Sequence, residues 1–173
     1  MDKHQIEEIF NQTFAGLSLF YRDCELSQDF INKYQIGQII QERTFADASY
    51  KGGGLTTNLR YLIASAHVKD ISALVPQMEE YGHVMLQSGA YFKVIDSYEV
   101  DNKTQITLLH IAEETIEFFT ANSSNIEEQI VSKAREGFAA KVHTAPILSL
   151  QAQEWIDRTA LPIGMSDTGE FFM

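Results

Sequence analysis

Two runs of alternating apolar and polar residues, AYFKVIDSYEV and TQITLLHI, flank a polar Asp101-Asn102-Lys103 and form the best-defined pattern in the chain. Successive strand residues point to opposite faces. With a three-residue loop at 101–103, Val100 stands opposite Thr104, Tyr98 opposite Ile106, Asp96 opposite Leu108 and Val94 opposite His110. Phe92, Val94, Tyr98, Val100, Ile106 and Leu108 then share one face. Lys93, Ser97, Glu99, Gln105 and Thr107 share the other, which suits water. A two-residue loop mixes the faces, and a one-residue slip flips every side chain. The pattern therefore predicts a central hairpin over about 90–111 with the longer loop.

That register places Asp96 and His110 as diagonal neighbours, roughly 7–8 Å apart by backbone position. A carboxylate beside an imidazole fixes its tautomer and raises its basicity, as a general base requires. Asp96 and His110 are thus the candidate catalytic pair. The simpler reading is a pair of polar groups bonded for structural reasons alone.

Elsewhere the periods change. Ile6, Ile9, Phe10, Phe14, Leu17, Phe20 and Tyr21 recur at helical spacing from about 3 to 22. Ser27 can cap a short helix through about Lys33. Residues 34–45 fit a helix or a strand; Ile36 and Ile40 favour a helix to about Arg43, although Gly37 weakens it. Residues 55–68 fit both periods as well. The aromatic and branched content of Leu59–Ile63 favours a strand covered on both faces. A connection with Pro76 follows, then a strand at His83–Leu86. Glu113 and Glu114 open a helix to about Ala121. Ser124 and Glu127 have capping-box spacing ahead of a helix with Ile126, Ile130, Ala134, Phe138 and Val142 on one face. Ser149 can cap a last helix with Ala152, Trp155 and Ile156 inward.

The sum is a single α+β domain over 1–173, with a mainly antiparallel sheet around the hairpin, helices on one face and a flexible tail at 163–173. Composition narrows the function. The 13 basic and 24 acidic residues give a net charge of −11, which disfavours nucleic acid and anionic membranes. Cys24 is the only cysteine, so an internal disulfide is excluded and a reducing compartment fits. The N-terminus is acidic and amphipathic, unlike a signal peptide, and no apolar run reaches membrane-spanning length. The expectation is a cytoplasmic protein.

Chemistry-bearing motifs are sparse. The Lys51-Gly-Gly-Gly-Leu-Thr-Thr run can form a nest of backbone amides for a phosphate, with Arg60 near, but lacks the phosphate-loop ending. A flexible turn is the plainer reading. Lys51, Arg60, His67 and Tyr98 are the candidate ligand-binding residues. A metal at His67, His83 or His110 is a weaker idea; no metal or cofactor is expected. These readings favour a non-catalytic binding or oligomerisation domain that forms a homo-oligomer, a dimer of this chain, and separately binds a small-molecule or protein partner. The alternative is a small hydrolase or isomerase using Asp96 and His110.

Overall fold

The computed structural model describes His4, residues 16–121 and residues 125–172. The expected N-terminal stripe lies mostly outside the described residues, as does the Ser124 cap. Where the stripe continues into view the chain is extended: strand β1 spans Ser18–Cys24, with Phe20 and Tyr21 on opposite sides.

β1 leads to the short helix α1 (Gln28–Ile31), capped as expected by the Ser27 hydroxyl on the Phe30 amide. The predicted helix at 35–43 is instead a turn followed by β2 (Ile39–Gln41). Gly37 there has φ +94°, outside helical geometry. β3 (Ala46–Ser49) and β4 (Leu59–Ser65) follow. Every residue of β4 is buried, as a strand covered on both faces requires. The connection holds β5 (Lys69–Asp70), helix α2 (Ile71–Leu74) and a 3₁₀ turn at Pro76–Tyr81 before β6 (His83–Leu86). β7 (Tyr91–Val100) and β8 (Lys103–Ile111) form the hairpin. Helix α3 (Ile116–Ala121), the long α4 (Asn125–Lys141) and α5 (Gln153–Arg158) complete the order.

The eight strands run β2-β7-β8-β4-β1-β3-β6-β5 in one sheet. The sheet is mixed: β4 and β8 are parallel while every other pairing is antiparallel. This corrects the mainly antiparallel expectation. A parallel pair needs a long crossover, which here carries β5, β6 and β7.

The hairpin departs from the predicted register. Its loop has two residues, Asp101 and Asn102, at φ 51° and 68°, and Val100 pairs with Lys103. Such a loop matches strand twist when both residues are left-handed, which Asp and Asn tolerate. A bulge between Val94 and Asp96 then resets the faces. Tyr98 pairs with Gln105, not Ile106, and packs against Phe138 of α4. Ile106 lies in the opposite core with Phe92, Val94 and Leu108.

Both faces are covered from within the chain. α4 lies on the face expected to be wet: Lys93 pairs with Glu127 at 2.9 Å, and Gln105 donates to the Ala134 carbonyl at 3.0 Å. This face is thus covered by a helix of the same chain. The opposite face holds the main core, which includes Ile31, Tyr34, Ile163 and Met165. The segment expected to be flexible is therefore built into the core, with Ile163 fully buried. No helix of the described residues is long and apolar enough to cross a membrane.

Candidate functional site

The expected catalytic pair is not assembled. Asp96 faces α4, where its carboxylate accepts from Arg135 Nε at 2.8 Å and Nη2 at 2.7 Å. His110 faces the main core beside Phe92, and its Nδ1 meets Ser65 Oγ at 2.7 Å. Burial, and then nearby His67, lowers the His110 pKa to about 4, so the ring is neutral near pH 7. The bulge is the physical cause of the separation: it moves Asp96 across the sheet while His110 stays.

The expected ligand-binding residues are also dispersed. Lys51 Nζ donates to the Glu80 carbonyl. Arg60 is fully buried and pairs with Asp23 at 2.8 Å. His67 lies past the end of β4 with its ring 6.4 Å from that of His110. Tyr98 lies under Arg135. The glycines of the Lys51 run serve close packing. A Cβ on Gly54 would fall 1.8 Å from the Thr144 carbonyl oxygen, and one on Gly52 2.5 Å from the Tyr21 ring. Among the described residues no group of three or more histidine, cysteine, aspartate or glutamate side chains is placed to hold a metal.

What the sheet does assemble lies between β1, β3 and β6. Tyr21 pairs with Ser49, and Ser49 with His83. Alternation along β3 puts Asp47 on the same face as Ser49, so Asp47 and His83 are diagonal neighbours across two strands. His83 Nε2–H donates to Asp47 Oδ1 at 2.6 Å. A carboxylate only accepts, which fixes the proton on Nε2. The His83 side chain is 1% exposed and that of Asp47 14%, so one end of the pair reaches solvent. Trp155 of α5 stands edge-on to the His83 ring at 5.3 Å and stacks on Tyr81 at 5.3 Å. The Ser49 hydroxyl donates to the Tyr81 carbonyl, holding the strand end under that stack.

β1 and β3 share a single register pair, so the sheet parts beside it. Arg22 bridges the parting by donating Nη1 to the Asp47 carbonyl at 3.1 Å. A cavity of about 140 Å³ lies alongside, lined by Tyr21, Asp23, Cys24, Thr57, Trp155 and Thr159 among others. Four buried side-chain atoms have no hydrogen-bond partner among the described residues: Arg22 Nε, Arg60 Nη1, His83 Nδ1 and Thr107 Oγ1. His83 belongs to the Asp47 pair and Arg22 bridges the parting, while none of the four residues lines the cavity. A buried polar atom left unpaired costs about 1–3 kcal/mol, so His83 Nδ1 and Arg22 Nε lower stability at the pair and the parting. Three hollows elsewhere are larger, about 580 Å³ beside Lys93 and Arg135, about 640 Å³ beside Lys51 and Pro76 and about 800 Å³ beside His67.

His83 lay within a predicted strand, yet its partner Asp47 is 36 residues earlier in a stretch with no strong period. The alternation Ala46-Asp47-Ala48-Ser49, polar residues between small ones, was the one signal available.

No family model and no curated protein matches the sequence. Among solved structures, the chain is similar to the type III effector XopAI of Xanthomonas axonopodis pv. citri, with 19% identity and a TM-score of 0.48 over 57% of this chain and 43% of that one. It is similar to the Vis toxin of Vibrio splendidus, an ADP-ribosyltransferase, with 14% identity and a TM-score of 0.46 over 58% and 51%. Exoenzyme S of Pseudomonas aeruginosa, in complex with human 14-3-3 protein beta and bound to carba-NAD, gives 11% identity and a TM-score of 0.49 over 73% and 64%. The matched part thus spans about half the length of the first two structures. Several of these neighbours are named ADP-ribosyltransferases, where the sequence pattern led to the expectation of a non-catalytic binding or oligomerisation domain. The separation of Asp96 from His110 removes the hydrolase or isomerase alternative.

Proposed function

We propose that the chain is an enzyme of ADP-ribosyl transfer whose reacting groups are Asp47 and His83, with a nicotinamide dinucleotide as donor. The observation that carries this reading is the buried His83–Asp47 hydrogen bond beside the parting of β1 and β3, with His83 Nδ1 unpartnered. The solved neighbours name the donor chemistry worth testing; the side chains supply the reason to test it at this site.

Transfer breaks the bond between ribose C1′ and the nicotinamide ring nitrogen. The electron pair leaves with nicotinamide, and the sugar carbon becomes positive in the transition state, as in glycoside cleavage. An acceptor then bonds to C1′ and loses a proton. A fixed carboxylate next to that carbon stabilises the charge as it develops, without reorganising. Asp47 is held for this by His83 and keeps one end open to solvent. The His83 Nδ1 lone pair takes a hydrogen bond from a sugar hydroxyl or the proton of the acceptor. Trp155 and Tyr81 stack on each other and wall off the pair with buried aromatic surface.

The test is nicotinamide release from NAD, followed by chromatography, for the native chain and for Asp47→Asn and His83→Gln. Release by the native chain with a loss on the order of 100-fold in Asp47→Asn is expected, the size typical of removing a preorganised electrostatic group. Equal release by native and Asp47→Asn proteins contradicts the assignment.

A further inference from the structure

Resting on that reading, we infer that the strap Gln153–Phe172 is a closed lid over the Asp47–His83 site, which a ligand enters only after the strap lifts. Its first part roofs the site: α5 carries Trp155 onto His83 and Tyr81. Its second part passes the parting between β1 and β3 and runs on into the main core. Thr159 is buried beside the Asp23 carbonyl, Arg22 Nη2 donates to the Leu161 carbonyl at 2.7 Å, and Tyr34 donates to the Ile163 carbonyl at 2.6 Å. The Ile163 amide donates to Tyr61 Oη at 3.2 Å, and the Gly164 amide to Glu42 Oε2 at 2.8 Å.

Three features separate a lid from ordinary core. The first is what holds it. Four buried polar side chains, those of Arg22, Tyr34, Glu42 and Tyr61, are spent on backbone groups of the short run Leu161–Gly164. Backbone carbonyls and amides are groups a ligand can replace. The second is what lies beneath it. Packing is incomplete at the cavity between the strap and β1, lined by Trp155, Ile156 and Thr159 on one side and by Tyr21, Asp23 and Cys24 on the other. A closed state over such a cavity forgoes packing contacts and is favoured less than a filled core. The third is what lies outside. Ile156 and Leu161 remain 41% and 59% exposed, so the outer side of the strap faces solvent at these residues. When the strap lifts, Arg22 loses its Leu161 partner and turns a guanidinium toward the opening, suited to the diphosphate of the donor.

Cys24 reports the opening without any substrate. It is the only cysteine, it is buried, and it lines the cavity. The experiment measures its labelling by a chromogenic disulfide reagent as a function of urea, with and without NAD. The native protein, Gly164→Ala and Glu42→Gln are compared, each checked for a cooperative thermal transition. Gly164 has φ +78° and an added Cβ would lie 3.0 Å from Ile40 Cδ1, so its substitution lifts the strap locally. Expected are a labelling rate with little urea dependence, a rise of at least tenfold in Gly164→Ala, a smaller rise in Glu42→Gln, and a change in rate on adding NAD. Labelling of the native protein only through whole-molecule unfolding, or unchanged labelling in the folded variants, overturns the lid. If Gly164→Ala does not fold, the native urea series and Glu42→Gln still decide. Local opening that both variants accelerate, with no response to NAD in any form, upholds the lid and removes the ADP-ribosyl reading.

Discussion

His83 Nε2 and Asp47 Oδ1 lie 2.6 Å apart although 36 residues separate them in the chain. The pairing exists because β3 and β6 are adjacent and antiparallel, with Ser49 opposite His83 and Asp47 opposite Met85. Replacing Asp47 by Ala leaves a buried imidazole N–H without its acceptor. A loss of about 1–3 kcal/mol in urea unfolding is expected. A loss within experimental error would mean that the pair contributes nothing to holding this face together.

Asp96 supplies the opposite case. Its side chain is 3% exposed and doubly bonded to Arg135, far from the proposed chemistry. Asp96→Asn is expected to cost on the order of 2 kcal/mol in stability, with nicotinamide release per folded molecule unchanged. A stable Asp96→Asn protein with abolished release would restore a catalytic role for Asp96.

Gly54 tests the reading of the glycine run. An added Cβ meets the Thr144 carbonyl oxygen, which is backbone and cannot swing away. Gly54→Ala is expected to destabilise by at least about 1–3 kcal/mol, whereas Lys51→Ala, which removes an exposed contact to the Glu80 carbonyl, changes stability little. Thermal unfolding of the two variants side by side checks the order. Reversal of that order would return the run to the role of a ligand loop.

His110 makes stability depend on pH. In the folded chain its pKa is lowered to about 4, below the ordinary 6.5, first by burial and then by His67. Between these values the unfolded chain holds the extra proton, so acid favours unfolding there. The contribution is fully present above about pH 6.5 and is lost as pH falls toward about 4, to an extent of at most about 3 kcal/mol. His110→Asn is expected to flatten the decline between pH 7 and pH 4.5 in urea unfolding. Identical pH profiles for native and variant would contradict a buried neutral ring.

Much of the fold is legible in the residues: the β7–β8 hairpin, the doubly covered β4, the strand at His83, the Ser27 cap and the long helix with Ile130, Ala134 and Phe138 inward. The site is not, and the reason is local. Strict alternation along β7 fails at Ile95, where one extra residue moves Asp96 to the other face. A two-residue loop mixes the faces only in strands without a bulge. The left-handed tolerance of Asp101 and Asn102 was the overlooked cue. The true pair, by contrast, depends on which strands become neighbours across a mixed sheet, and no local period encodes that order. The same holds for the segment after Pro162, which reads as a frayed tail until Tyr34, Tyr61 and Glu42 are seen to converge on it.

Trp155 gives the most direct test of the central claim, because it is the only tryptophan and its ring touches both Tyr81 and His83. Its fluorescence, excited where NAD absorbs little, can be followed during titration of the native chain and of Asp47→Asn with NAD. We predict a saturable change in the native protein and a shift of its midpoint or loss of its amplitude in Asp47→Asn. A flat response up to millimolar NAD, in the native protein and in the opened Gly164→Ala variant alike, would contradict a nicotinamide dinucleotide at this site.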